Sequence, residues 1–308
     1  MHQHTHHHGT GRVLQWSFFA TLAFVAIELY FGFRAQSLAL ISDAGHNFTD
    51  ALALVLAAIG FYLQSKPADS VKTYGYHRAG VLTAFINALT LIGIALFIFY
   101  EAWQRFLNPK HVEEWTMLSV ALAALALNGA IMWGLHRDKD HDLNIRAAFM
   151  HMLGDAVSSV AIVAGAIAIH FTGFENIDPI LSVLIGALII WTAWDIIQES
   201  LNVLLEGLPR GLELAAVSSA LCELEGVIDV HDVHIWSLGS SAHAMSCHVL
   251  IEDMPPSESK AILVRINDLL CGFHIHHTTV QFEHTKCALS DTPCSIVTAA
   301  HQHEHHHQ

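Results

Sequence analysis

The sequence predicts a multi-span α-helical membrane protein of six transmembrane helices with a C-terminal cytosolic α+β domain, in which two helices pack on a three-stranded sheet. Of its 308 residues, 53% are hydrophobic and only 14% are charged, and the mean hydropathy is +0.43. These values are typical of a chain that crosses a bilayer several times. Six apolar runs come first, each near the roughly 20 residues that span a bilayer. The patterning of a soluble domain begins at about residue 208.

Residues 1–12 form a histidine-rich tail without apolar periodicity, which we predict to be disordered. The apolar run that follows is longer than the core of a cleavable signal and lacks a small-residue cleavage site, so we expect it to stay as a membrane helix. The transmembrane domain then covers residues 13–207. Its predicted spans are 13–33, 38–63, 79–101, 115–135, 145–170 and 179–203.

Lysine and arginine indicate the orientation of the helices, because translocated loops are poor in both residues. An even number of spans places the two termini on one side. Eight basic residues lie on the terminal side, against three in the loops on the other side, so we expect both termini in the cytosol. The eight are Arg12, Lys66, Lys72, Arg78, Arg137, Lys139, Arg146 and Arg210, and the three are Arg34, Arg105 and Lys110.

The C-terminal domain is predicted to cover residues 208–285, with Pro209 and Gly211 at its start. β-branched residues between 227 and 237 favour a strand there, and a Pro-Pro-Ser-Glu sequence at 255–258 starts a helix. The predicted order is helix 211–224, strands 227–237 and 243–252, helix 257–271 and strand 275–284, followed by a second histidine-rich tail at 286–308.

Net charge and cysteine content indicate which partners and which redox compartment are expected. The net charge of −14, counted with all 25 histidines neutral, argues against nucleic acid as a partner. The lipid bilayer is the expected surrounding, and no obligate protein partner is indicated. Five cysteines without a CxxC pair favour reduced thiols over a disulfide framework; they are Cys222, Cys247, Cys271, Cys287 and Cys294.

A histidine and an aspartate stand four residues apart in two of the apolar runs. His46 and Asp50 lie in the second run, and His151 and Asp155 in the fifth. On a helix this spacing puts both side chains of a pair on one face, about one turn apart. Two imidazoles and two carboxylates form a tetrahedral set suited to Zn²⁺. The sequence therefore predicts an intramembrane metal site.

The spacing alone is weak evidence, because His136 and Asp140 show it in a polar loop. A single intramembrane pair also fits structural hydrogen bonding. A carboxylate inside the membrane costs about a few kcal/mol or more and is usually functional, and two matched pairs in two helices favour metal binding. The hydropathy boundaries place the pairs at different depths, so tilt or a helix that continues into the cytosol must bring them level.

Other acidic residues in the predicted spans carry less weight. Glu28 in the first span and Asp43 at the start of the second either line a proton or metal path or cap and pair locally, and the sequence leaves both interpretations open. Asp195 lies close to the cytosolic end of the sixth span, where an interfacial role is expected.

Six spans, HxxxD in the second and fifth, and a small α+β domain together resemble the cation diffusion facilitator family of zinc transporters over about residues 12–285. The likeness includes Ser-Leu-Ala-Leu at 37–40, Tyr-Gly-Tyr-His-Arg at 74–78 and Asp178-Pro179. It implies that one Zn²⁺ binds within the membrane. Histidine at position 46 is similar to the zinc-selective branch, whereas the DxxxD branch also takes cadmium or iron. The ligands implied are His46, Asp50, His151 and Asp155.

The resemblance also implies a zinc site in the C-terminal domain, made by His231, His248, His276 and Glu283. Strand alternation puts Glu283 on the opposite face from His276, so Glu283 needs a bulge or a neighbouring subunit. Nearby histidines leave the choice of ligands open; they are His243, His274, His277 and His284.

The sequence departs from the family in two places. Some relatives carry a loop site of one aspartate and two histidines, but beside Asp69 the histidine positions here hold Lys72 and Tyr76, so we predict no such site. The histidine-rich loop between spans four and five is reduced to His136 and His141. The histidine tails either collect zinc weakly or keep the chain soluble.

The resulting hypothesis is an antiporter that exports Zn²⁺ from the cytosol in exchange for H⁺. The resemblance further implies a homodimer paired through the cytosolic domains, with a regulatory zinc site in each. Zinc needs neutral imidazole and ionised carboxylate, so protons compete with it. A membrane-embedded zinc hydrolase needs an open coordination position and a base, which four protein ligands do not leave. A membrane-anchored metal sensor does not need matched intramembrane ligands. Short loops favour a bacterial inner membrane, with an organellar membrane as the alternative.

Overall fold

The computed structural model describes residues 8–136, 143–239 and 242–285, and it confirms the predicted fold class. Within these residues, six helices long and apolar enough to cross a membrane precede a domain of two helices and three strands. The six are α1 (His8–Ala35), α2 (Leu38–Gln64), α3 (Ala79–Leu107), α4 (Glu114–Leu135), α5 (Leu143–Thr172) and α6 (Ile177–Leu204).

Two helix ends differ from the prediction. α1 begins at His8, so residues 8–12 are helical rather than part of a disordered tail, because a helix nucleated in an apolar run extends by one hydrogen bond for each further residue. α3 continues to Leu107, past the predicted end at residue 101. Arg105 does not stop this helix, because it is buried and ion-paired with Glu101 one turn earlier. The predicted tails at 1–7 and 286–308 lie outside the described residues.

The helices form one compact unit that takes in residues up to Ile59 and Thr83–Gln198. Its core is made by small and branched apolar side chains such as Ala88, Ala121 and Ile162, and small residues let helices approach closely. Large apolar side chains such as Trp133 and Phe171 are instead exposed on the outside. An apolar outer surface suits contact with lipid, because a helix satisfies its backbone hydrogen bonds internally and needs no polar groups on its lipid-facing side.

The start of α2 is capped by a carboxylate from α6. Asp178 accepts hydrogen bonds from Ser37 Oγ at 2.6 Å, from the backbone N–H of Leu38 at 2.7 Å and from that of Ala39 at 3.2 Å. The guanidinium of Arg105 lies 3.2 Å from the same carboxylate. The first N–H groups of a helix have no partner within it, so Asp178 satisfies two of them from 140 residues away.

The second unit takes in Gly60–Leu82 and the chain from Glu199 onward. Its elements are α7 (Leu214–Cys222), β1 (Asp229–Ser237), β2 (His243–Leu250), α8 (Pro256–Gly272) and β3 (Ile275–Glu283). β2 is the central strand, antiparallel to β1 and parallel to β3, with α8 as the crossover. Both helices pack on one face of the sheet around Leu221, Met245, Ile266 and Leu270.

Candidate functional site

The two HxxxD pairs meet in the membrane unit. His46 Nε2 lies 3.7 Å from Asp50 Oδ2 within α2 and 3.8 Å from Asp155 Oδ1 on α5. His151 Nε2 lies 3.5 Å from Asp50 Oδ2 and 3.7 Å from Asp155 Oδ2. Each imidazole therefore faces both carboxylates, and the four side chains form a closed ring of alternating nitrogen and oxygen donors.

Three of the four residues, His46, Asp50 and Asp155, place donor atoms within 4.8 Å of one another. His151 Nε2 lies beside this group, 3.5 Å from Asp50 Oδ2. Ligand atoms around tetrahedral zinc, with bonds of about 2.0–2.1 Å, lie about 3.3–3.4 Å apart, slightly less than the nitrogen–oxygen separations in this ring. Asp50 Oδ2 is buried and accepts no hydrogen bond among the described residues, as expected for an oxygen that binds a cation instead. Exposure is uneven, because the side chain of Asp155 is 4% exposed and that of His151 is 42% exposed. The site is thus closed behind Asp155 and open beside His151.

The two pairs meet at one level although the helix ends lie close to their predicted places. α2 ends at Gln64, one residue past its predicted end, and α5 begins at Leu143, two residues before its predicted start. The levelling therefore depends on how α2 and α5 pack, since His46 lies beside Asp155 and His151 beside Asp50.

Four polar side chains lie beside the ring. Asp43, one turn before His46 on α2, accepts a 2.6 Å hydrogen bond from Ser158 Oγ on α5. Glu28 on α1 accepts one at 3.4 Å from the side-chain amide of Asn47. Sequence reasoning missed Asn47 and Ser158, although Ser158 lies one turn from Asp155 and therefore shares its helix face.

A second group of potential ligands lies on the sheet of the C-terminal domain. Glu283 at the end of β3 places its carboxylate 3.2 Å from His231 Nε2 on β1 and 3.0 Å from His248 Nδ1 on β2. His231 Nε2 and Glu283 Oε2 are buried, yet neither forms a hydrogen bond among the described groups. Two imidazoles and one carboxylate make a donor set that fits zinc and leaves one tetrahedral position open.

Two aspartates orient the histidines of this group. Asp229 Oδ2 lies 3.6 Å from His231 Nδ1, and Asp232 Oδ2 lies 3.5 Å from His248 Nε2. Each aspartate thus faces the ring nitrogen that points away from Glu283, the arrangement by which carboxylates fix the ring orientation of metal ligands. A bulge in β1 between His231 and His234 gives Asp232 a positive φ of 53° and turns its side chain towards His248.

His276 does not join this group in the single chain, contrary to the prediction. It lies at the opposite end of β3 from Glu283, about 23 Å away for a strand that rises about 3.3 Å per residue. Its side chain is exposed near His243, whose pKa is lowered by burial and further by the charges of His274 and His276. Glu283 reaches its partners within one chain, because β3 runs parallel to β2 and ends beside them.

Hydrogen bonds to Asp69 hold the loop after α2 together. Asp69 Oδ1 accepts hydrogen bonds from the backbone N–H groups of Lys72 and Val71, each at 2.7 Å, and Asp69 Oδ2 accepts one from Tyr76 Oη at 2.9 Å. These bonds hold the pKa of the Asp69 carboxyl below its usual value, with that from Lys72 contributing most. Of the loop residues with the same spacing, His136 is described, whereas Asp140 lies outside the described residues, as does the neighbouring His141.

Comparison with known proteins identifies the family. Residues 14–205 match the family model of the cation efflux transmembrane domain, and residues 209–285 match that of the cation efflux protein cytoplasmic domain. The chain is 36% identical over 312 residues to the zinc transporter ZitB of Escherichia coli (strain K12), with 99% of each chain covered. It is 37% identical over 284 residues to the cadmium, cobalt and zinc/H(+)-K(+) antiporter of Bacillus subtilis (strain 168), with 91% of each covered.

One solved structure is also similar, the metal-bound C-terminal domain of the CzcD transporter from Cupriavidus metallidurans. It is 33% identical and covers 23% of this chain and 99% of its own, with a TM-score of 0.22. The hydrolase interpretation does not survive these matches, because the family and the relatives are transporters rather than enzymes. With one family model on the six spans and another on the C-terminal domain, this multi-pass membrane chain belongs to the cation efflux family.

Proposed function

We propose that this protein is a secondary active transporter that exports Zn²⁺ from the cytosol in exchange for protons. Divalent metal cation efflux is the activity named in its relatives, which include zinc transporters and antiporters that exchange cadmium, cobalt and zinc. The observation that supports zinc here is the ring of two imidazole nitrogens and two carboxylates, with neighbouring donors 3.5–3.8 Å apart. It offers the four ligands of tetrahedral zinc and no carbonyl-rich cage of the kind that larger, harder cations prefer.

Exchange with protons follows from the chemistry of the ligands. Zinc is held by neutral imidazole and ionised carboxylate, so each proton taken up by His46, His151 or an aspartate removes a ligand. Acid on the outside therefore drives the cation off the site, and a neutral cytosol allows the next one to bind. The side chains release or take up protons in place, so the cycle requires no cofactor.

The orientation that we propose puts both termini in the cytosol. It is supported by the eight basic residues on the terminal side against three on the other. Relatives that match over nearly the full chain include the bacterial transporters named above, which supports a bacterial inner membrane. In this orientation the protein removes metal from the cell.

We further propose that the C-terminal domain pairs with that of a second copy and that zinc at His231, His248 and Glu283 regulates the pair. The three donors leave one tetrahedral position, which a water molecule or a partner subunit fills. Metal bound by strands β1, β2 and β3 at once would fix the edge of the sheet, because the ligands come from all three strands. The site therefore links cytosolic zinc to the rigidity of a dimerisation domain.

Transport by reconstituted protein tests the intramembrane assignment. Proteoliposomes loaded with a zinc-sensitive dye are given a pH gradient, and zinc entry is measured for wild type, Asp50→Ala and Asp155→Ala. Each substitution removes one of four ligands, and we expect transport to fall at least 100-fold, as about 10–100-fold is lost even when a supporting group is removed. Asp195→Ala, at an exposed carboxylate of α6, is the matched control and should transport normally. Zinc movement that survives the two ligand substitutions would overturn the assignment.

A further inference from the structure

Two carboxyl groups that the proposed metal site does not use lie side by side in the membrane unit. Glu28 of α1 is 0% exposed and Asp43 of α2 is 2% exposed. One oxygen of each has a donor, because Asn47 donates to Glu28 Oε2 at 3.4 Å and Ser158 donates to Asp43 Oδ1 at 2.6 Å. The other two oxygens, Glu28 Oε1 and Asp43 Oδ2, are buried without a donor among the described residues.

The two carboxyl groups meet on one face of α2, because Asn47, which donates to Glu28, lies one turn after Asp43, and each carboxyl group acts electrostatically on the other. Ionised carboxylates are acceptors only, so a contact between two of them becomes a hydrogen bond only when one is protonated. Two unpaired charges in a buried site are strongly disfavoured, and closely placed carboxyls hold one proton between them. A single proton would satisfy the unpartnered oxygens, neutralise one charge and join α1 to α2.

We propose that Glu28 and Asp43 form a proton-binding site, which holds one shared proton and releases it when a divalent cation binds in the ring of His46, Asp50, His151 and Asp155. This inference deepens the proposed function, on which it rests, by adding a proton carrier outside the metal ligands. The O–H bond of the shared carboxyl breaks, the proton passes to water and no electrons are transferred.

Electrostatics couples this pair to the metal. The titratable groups that act on it are His46 and Asp50 from α2 and Asp155 from α5. Without metal the aspartates add negative potential, which favours retention of the proton. A bound divalent cation reverses the sign of that potential at short range and in low dielectric, so the ionised pair becomes favoured. Metal and proton therefore exclude each other although they occupy different side chains.

Counting protons during zinc binding tests the coupling. Full-length protein in detergent is titrated with zinc by calorimetry, in buffers of different ionisation enthalpy and over a range of pH. Glu28→Gln replaces the shared proton by an amide N–H that can still donate to Asp43. We expect the same number of zinc ions bound, with the maximal number of protons released per zinc lower by about one. Asp43→Asn should act in the same way, and Asp195→Asn should match wild type. Protons released at the C-terminal site are common to all variants and cancel in the difference.

Infrared spectroscopy of the metal-free protein tests the shared proton directly. We expect the C=O stretching band of a protonated carboxyl in wild type and Asp195→Asn at neutral pH, and its loss in Glu28→Gln. Absence of that band in wild type, or unchanged proton release in both variants, would overturn the proposal. A further outcome would also overturn it: in wild type, zinc binding depends on the K⁺ concentration and not on pH, and this dependence on K⁺ is lost in Glu28→Gln. The pair would then hold a metal cation instead of a proton. Failure of zinc to bind wild type, with the band present, would overturn the transport function alone.

Discussion

Removal of the carboxylate that caps α2 is expected to destabilise the membrane unit strongly. Asp178→Ala leaves the guanidinium of Arg105, which is 5% exposed, without its buried partner and frees the N–H groups of Leu38 and Ala39. Breaking a buried ion pair by removing one side costs about 3–5 kcal/mol, and loss of a helix cap about 0.5–2 kcal/mol. Arg105 keeps Glu101 as a second partner, so we expect about 3 kcal/mol in total.

Unfolding in mixed micelles measures this cost. Denaturation of the full-length protein by dodecyl sulfate is followed by tryptophan fluorescence, and Asp178→Ala should unfold at a clearly lower detergent fraction than wild type. Asp195→Ala removes an exposed carboxylate from the same helix and should stay within about 0.5 kcal/mol of wild type. Arg105→Met combined with Asp178→Ala should recover part of the loss, because no unpaired buried charge remains. Equal midpoints for Asp178→Ala and Asp195→Ala would refute the reasoning.

Three further predictions concern the metal sites and a buried thiol. His248→Ala should lower the zinc bound per full-length chain by about one ion, whereas His276→Ala should leave it unchanged in equilibrium dialysis; the reverse result would restore His276 as a ligand. Burial raises the pKa of the Cys247 thiol to about 11. In native protein at neutral pH, a maleimide should therefore label the exposed Cys271 and should react with Cys247 only after unfolding, as measured by mass spectrometry. Rapid labelling of Cys247 in native protein would show that β2 is accessible to the reagent. In liposomes, His46→Asp should raise cadmium transport relative to zinc transport. An unchanged ratio would show that position 46 does not determine the metal selectivity.

The faces on which the two HxxxD pairs lie could be predicted because a helix has a fixed period. His46 and Asp50 share a face in any α-helix, and the same holds for His151 and Asp155. Their common depth could not be predicted, because hydropathy marks the ends of a span and not how two helices pack against each other. α2 ends at Gln64, close to its predicted end, so the levelling of the pairs depends on the packing of α2 and α5.

Contacts between distant segments account for most of what the sequence did not reveal. Ser37 and Asp178 both lie in motifs that indicate the family, yet nothing local shows that one caps the helix of the other, 141 residues away. For Glu28 and Asp43 the sequence leaves open a proton or metal path and local capping or pairing, and only the packing of α1 beside α2 brings the two residues together. For the C-terminal domain, the resemblance to the family pointed to His231, His248 and Glu283, which the fold brings together. That Glu283 reaches the two histidines within one chain, and that His276 does not, required the parallel register of β3.

The capped start of α2 also limits where insertions and deletions can occur in the sequence. Asp178 fixes the first turn at Leu38, and an unbroken helix of about two turns then leads to His46. Each inserted or deleted codon in that stretch would rotate the ligands by about 100° around the helix axis and shift them along it by about 1.5 Å. A single such event would turn His46 and Asp50 away from α5. Insertions and deletions in descendants of this sequence are therefore expected in the loops, and the segment from the cap to Asp50 should keep its length.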